Sequence, residues 1–307
     1  MRKKIFTTPP DSPKKFDISD MYEIGQTVDD LVELDAPPPP MVFRADLGTD
    51  LEHADYIVEQ LGEEILYCPA FEKKNDREAW LHWDGKIFVR DKNRVERRIQ
   101  MIFSERYNRA VEEDVPRETQ LLLKRGLSRT NRNQALLDAR SRLTVDYADL
   151  GESKYPKYIN AQNCIVDVEN LKPIPHCPKY RMTQITAVPW DPDQKLELWP
   201  YCVEDWFKSY YEEGDLEVPR YCEQILGYCV LALQEKRFYV FTGRGDDGKS
   251  KLLLTVCSVL GTDPKTGYSR EPEITNFLNQ GNQGEKPRPG LVDLRGKRFS
   301  MSSEPPQ

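Results

Sequence analysis

Eight consecutive residues in this sequence have the types and spacing to handle a polyphosphate. Gly243-Arg244-Gly245-Asp246-Asp247-Gly248-Lys249-Ser250 follows the pattern G-x-x-x-x-G-K-[ST], the phosphate-binding P-loop. Glycines let the backbone curl so that its N–H groups point inward at phosphate oxygens. A helix that follows offers its positive N-terminal end to the same anion. Lys249 would reach the β and γ phosphates, and Ser250 would give its hydroxyl to Mg²⁺. Lys251 completes the nucleotide-binding set. Asp246 and Asp247 are the unusual members. Two carboxylates aimed at phosphates would repel them, so they are expected to face solvent, metal-bound water or a neighbouring subunit. The competing reading is a glycine-rich loop that holds no nucleotide.

A second chemical element lies about 55 residues further on. Gly296-Lys297-Arg298-Phe299-Ser300-Met301-Ser302-Ser303-Glu304 reads as a strand ending in a carboxylate. P-loop ATPases use an acid at such a strand end to hold Mg²⁺ or its water and to polarise the attacking water. Lys249 and Glu304 are therefore the candidate catalytic residues, with Ser250 and Glu304 as the Mg²⁺ ligands.

Other chemistries find less support. His53, His82 and His176 are the only histidines. Cys164 and His176-Cys177 lack the paired Cys or His spacing of a zinc site. No G-x-S-x-G nucleophile motif is present. Trp80 and Trp83 could stack on single-stranded bases, with core packing as the commoner use of such residues. Arg97, Arg98, Arg106, Arg109, Arg125, Arg129 and Arg132 could contact phosphates, with solvated helix faces as the alternative.

These residues need elements to hold them. Arg237 to Thr242 is a β-rich run before the glycine loop, and Lys249 to Leu260 carries leucines at helical spacing before Gly261. That is strand, loop, helix. Upstream, Leu51, Ala54, Val58 and Leu61 share one face of a short helix. Trp80–Trp83 and Lys86–Val89 flank Asp84-Gly85, a hairpin signal. Residues 94–145 are helical by composition, with Val95, Ile99, Ile102, Phe103 and Tyr107 on one face. Residues 163–190 hold prolines and β-branched residues, so short strands and turns are expected. Helices are expected over 198–213 and 219–234. Residues 1–42, with Pro37 to Pro40, read as a mostly disordered Pro-rich tail.

Composition sets the outer bounds. A 307-residue chain suggests two domains. Charged residues make up 31% and hydrophobic ones 38%, enough apolar material to exclude full disorder. The N-terminus has no apolar stretch after its basic residues, so a secretory signal peptide is excluded. The longest nearly apolar run, Ile225 to Leu233, is far short of a membrane span. Seven scattered cysteines read as reduced thiols in a cytosol-like, cytoplasmic compartment. Net charge is −7, yet residues 86–142 carry +7. A basic segment within an acidic chain fits a local nucleic-acid surface.

With these motifs in place, the chain resembles superfamily 3 helicases, and more narrowly the primase–helicases of phages, plasmids and large DNA viruses. The P-loop and the Gly296–Glu304 strand carry the likeness. Ala45-Asp46-Leu47-Gly48, Trp80-x-x-Trp83-Asp84-Gly85-Lys86, Asn163 to Asp167, Thr183, Pro189-Trp190-Asp191 and Trp199 are similar to the helical domain before the helicase core.

The resemblance implies a mostly helical α+β accessory domain followed by a partial P-loop α/β ATPase core. The boundaries would be a tail over 1–42, the accessory domain over 43–236 and the first part of the ATPase over 237–307. It implies ATP and Mg²⁺ as ligands and single-stranded or forked DNA as partner. It also implies a homo-oligomeric ring, such as a hexamer, once the ATPase domain is whole, and no membrane. ATP-dependent DNA unwinding in viral or phage replication follows from it. A nucleotide-binding or assembly module without turnover and a P-loop phosphotransferase are the alternatives. Asp247 stands where the family usually has Asn. The sequence stops at Gln307, before the family's sensor residue and arginine finger, so this chain alone is expected to bind ATP better than it hydrolyses it.

Overall fold

The computed structural model describes residues 6–7, 32–33, 46–72, 76–194, 202, 204–231, 238–242, 248–274 and 294–302. It divides into two units, Met1–Ala45 and Asp46–Gln307. In the first unit the described residues form two short strands, β1 (Phe6–Thr7) and β2 (Val32–Glu33). They pair antiparallel, with Phe6 opposite Glu33. The tail's composition gives no signal for this pair, because its register depends on residues far apart in the chain.

The second unit is α+β. Helix α1 (Asp50–Leu61) starts at Thr49, whose hydroxyl accepts from the Glu52 amide at 3.2 Å. Ala54, Ile57 and Leu61 are buried, while Leu51 is exposed. The inward face is therefore turned from the one that Leu51 predicts. It carries Glu52 and His53 into the interior. That orientation is tenable because the Glu52 carboxylate accepts from Arg106 Nη2 at 2.6 Å and from the Gly48 amide at 3.3 Å. Burying a carboxylate requires such a partner.

The first sheet is antiparallel in the order β3 (Ile65–Tyr67), β4 (Trp80–Trp83), β5 (Phe88–Arg90). The expected hairpin is β4–β5. Asp84 Oδ1 accepts from the amides of Lys86 and Ile87, both at 2.9 Å, and Gly85 takes φ +106°, as the turn demands.

The helical stretch expected over 94–145 is three helices. Helix α2 (Lys92–Glu112) is capped by Asp91, which accepts from the Asn93 amide at 2.9 Å. Helix α3 (Arg117–Arg125) begins directly after Pro116, and α4 (Arg129–Leu143) follows Ser128. Proline fits the start of a helix and not its middle, which explains the first break. Val95, Ile99, Ile102 and Phe103 of α2 are buried as their spacing predicts. They pack with Ala54, Ile57, Leu61, Trp80, Leu136 and Leu143 in the main core.

A second antiparallel sheet follows helix α5 (Gly151–Lys154), with strands β6 (Tyr158–Asn160), β7 (Ile165–Asp167) and β8 (Lys172–Ile174). Strands β7 and β8 fall in the span 163–190 where short strands are expected, and β6 lies just before it. Helices α6 (Lys208–Glu213) and α7 (Glu217–Val230) come next. Helix α8 (Lys249–Leu260) and the parallel strands β9 (Ser269–Arg270) and β10 (Phe299–Ser300) complete the described elements.

The strand expected over 237–242 is not formed in its described part, residues 238–242. Phe238 is 88% and Val240 71% exposed. A strand exists only as one member of a ladder, and no described strand pairs with this segment. Among the described residues, no helix is long and apolar enough to cross a membrane.

The Glu52–Arg106 pair gives a direct test. Arg106→Ala leaves a buried carboxylate without its countercharge and is expected to cost about 3–5 kcal/mol. Replacing both partners, Glu52→Leu with Arg106→Leu, is expected to cost less than the single change. Denaturant unfolding of the two variants checks the order.

Candidate functional site

Of the glycine-rich motif, Gly248, Lys249 and Ser250 lie within the described residues. Lys249 and Ser250 are the first two residues of α8, with Gly248 before them at φ +80°. Side chains other than glycine rarely adopt that conformation. Gly248 also admits close contact: a Cβ there would lie 2.3 Å from Trp206 Cδ1. Among the described residues no side chain caps this helix start, whose first-turn amides carry the positive end of α8. Gly243, Arg244, Gly245, Asp246, Asp247 and Glu304 lie outside the described residues. Lys251 follows on the first turn and is exposed.

What positions α8 is a buried polar seam that the sequence motifs do not announce. Helix α8 packs through Leu252, Cys257 and Leu260 on Ile159, Val166, Tyr268 and Phe299. Tyr268 is fully buried, and its hydroxyl accepts from the Asn160 amide at 3.0 Å. Burial pushes the Tyr268 phenol above its usual range, so it stays neutral. The Asn160 side chain donates to the carbonyls of Lys86 and Gln184, both at 3.1 Å. The Arg298 guanidinium donates to the carbonyls of Tyr158 and Val230 and lies 5.1 Å from the Tyr268 ring centre. One arginine thus ties β6, α7 and the β10 approach together. Desolvation holds its pKa below the ordinary value.

The same end of the molecule buries Glu152. Its carboxylate accepts from the Thr183 amide at 2.6 Å, the Thr183 hydroxyl at 2.9 Å and the Gln184 amide at 2.6 Å. Burial raises its pKa, against the opposing pull of these donors. Lys297 donates to the Gly267 carbonyl, and desolvation brings its pKa down to about 8, assisted by the nearby Arg90.

The other sequence candidates separate cleanly. Trp80 is fully buried edge-on to Tyr67, with ring centres 5.0 Å apart, so it cannot stack on a base. Trp83 packs on Phe88 at 5.3 Å. His53 is buried against Phe103 at 5.1 Å, and burial lowers its pKa, so it packs as a neutral ring. His82 is likewise lowered by burial, and His176 Nε2 lies 3.0 Å from the Ala161 carbonyl oxygen.

The arginines divide in two. Arg106 neutralises buried Glu52, Arg98 bonds the Glu64 carboxylate at 2.9 and 3.3 Å, and Arg109 pairs with Glu113 at 2.6 Å. All three are engaged by carboxylates, Arg106 in the interior and Arg98 and Arg109 nearer the surface. Arg97, Arg129 and Arg132 line one cleft.

Residues 54–208 match the model of the D5 N-terminal-like family, a span of just over half the chain. The chain belongs to that family. Domains of this family are found in primase–helicase proteins. No curated protein matches the sequence. The D5 N-terminal-like span runs from α1 to the first residue of α6 and contains the first core, both antiparallel sheets and the arginine cleft. Lys249, Tyr268 and Arg298 lie beyond it. The seam therefore fastens the D5 N-terminal-like domain, through Tyr158 and Asn160, to the segment that carries the glycine-rich motif.

Lys297 supplies a pH test of this seam. Its folded pKa is below its unfolded one, so the unfolded chain binds the extra proton between about pH 8 and 10.5. The penalty for holding Lys297 charged is present below that window and disappears as pH rises through it. Wild type is therefore expected to gain stability relative to Lys297→Met across about pH 8 to 10. Tyr147, pushed up to about 12 by burial, acts in the opposite sense above pH 10 and cancels in the comparison. Unfolding midpoints of both proteins along a pH series check it.

Proposed function

We propose that this protein is an ATP-dependent DNA helicase of the superfamily 3, primase–helicase type. The observation that carries the reading is the start of α8. The G-x-x-x-x-G-K-S motif enters a helix through a left-handed Gly248, with Lys249 and Ser250 on its first turn. The parallel β9–β10 pair is the kind of strand arrangement that α/β nucleotide-binding cores use. Membership of a family found in primase–helicase proteins supports DNA as the partner.

In this reading Lys249 binds the β and γ phosphates of ATP and stabilises charge as water attacks in line. Ser250 and Glu304 would hold Mg²⁺, which supplies neutralisation of the phosphate oxygens. Backbone amides of the glycine loop and the positive end of α8 orient the polyphosphate. A ring of subunits and single-stranded or forked DNA complete the proposal.

A second reading, a nucleotide-binding or assembly module without turnover, is favoured by one observation. Phe238 and Val240 are exposed where the strand entering the P-loop should be paired. DNA-stimulated ATP hydrolysis separates the two.

Lys249→Ala is expected to abolish binding of a fluorescent ATP analogue while leaving circular dichroism and the unfolding midpoint unchanged. Lys249 is on the first turn of α8 and outside the core clusters. Equal affinity in the variant would remove the nucleotide site from this motif.

A further inference from the structure

Helices α2 and α4 each turn a polar stripe toward a shared cleft. On α2 the stripe is Asn93, Glu96, Arg97 and Gln100, and on α4 it is Arg129, Arg132 and Asn133. Both follow helical spacing, i, i+3 and i+4, so each set occupies one face. The floor is apolar, formed by buried Ile99 and Leu136. The cavity is about 310 Å³, the lower end of the size that takes a small organic ligand.

The charges in this cleft are not balanced from within. It holds three guanidiniums and a single carboxylate, Glu96. Arg97 and Arg129 form no ion pair among the described residues. Arg132 donates to the Leu127 carbonyl, which fixes its guanidinium next to Arg129. Desolvation and then the Arg129 charge hold Arg132 below its ordinary pKa. An anion between them would relieve this like-charge repulsion.

We infer that the α2–α4 cleft binds one nucleotide unit of a single-stranded nucleic acid, with its phosphate on Arg97, Arg129 and Arg132. The carboxamides of Asn93, Gln100 and Asn133 carry both donors and acceptors, which suit the edge of an unpaired base. A base within a duplex is stacked and cannot reach the floor of a cleft between two helices, so a single strand is the form that fits. The inference rests on the nucleic-acid partner proposed above, but not on the nucleotide site at Lys249.

The test is binding of a fluorescein-labelled oligothymidylate to the full chain by anisotropy, without ATP, over a salt series. Arg97→Gln with Arg129→Gln is expected to weaken binding by about tenfold and to flatten the slope of log affinity against log salt by about one. Both residues are exposed, so the fold should be kept, and circular dichroism checks it. Glu96→Gln, which removes the cleft's carboxylate, is expected to tighten binding, a change that misfolding cannot mimic. Lys249→Ala should bind the oligonucleotide as wild type does, which separates this site from the ATP site. Unchanged affinity in both cleft variants would overturn the assignment. So would equal binding of a blunt duplex, or of thymidine monophosphate in place of the strand.

Discussion

The contact between the β6 edge and the residues flanking β9 and β10 is the constraint on which the arrangement depends. Strand β6 presents the Asn160 amide and the Tyr158 carbonyl toward the interior, where water cannot satisfy them. Tyr268 takes the first and Arg298 the second. A buried backbone group left without a partner is costly, so these two side chains fix where the α8 segment can lie. Apolar packing of Leu252, Cys257 and Leu260 supplies the driving force, but it is non-directional. The hydrogen bonds supply the register. The D5 N-terminal-like domain and helix α8 are thereby parts of one packed unit.

Two buried carboxylates show how differently the same problem is solved. Glu52 is neutralised by Arg106, an ion pair that joins α1 to α2 across the main core. Glu152 lies among backbone amides and the Thr183 hydroxyl, and desolvation dominates its proton equilibrium. The first arrangement withdraws an arginine from the basic segment. Arg98 is withdrawn in the same way by Glu64, and Arg142 by Asp55. The net charge of residues 86–142 therefore overstates the positive surface available to a ligand. Part of what is left lines the α2–α4 cleft, which Arg97, Arg129 and Arg132 share.

Much of the architecture was legible in the residues alone. The hairpin at Asp84-Gly85, the apolar face of α2 and the helix starting at Lys249 are local properties. They depend on turn chemistry, on a spacing of three to four residues and on glycine at a left-handed position. The P-loop pattern is local in the same sense, since its spacing places Lys249 and Ser250 on one helical turn. Tertiary structure decided the rest. Whether Arg106 meets a carboxylate or solvent depends on a residue 54 positions away, and Arg298 meets the Tyr158 carbonyl across 140 positions. The inward face of α1 turned because a partner for Glu52 was available on another helix. Strand pairing was likewise undecidable from the run at 237–242, since β propensity is realised only when a neighbouring strand completes the ladder. Local sequence sets which conformations each segment can adopt, while burial and partner satisfaction between distant segments select among them.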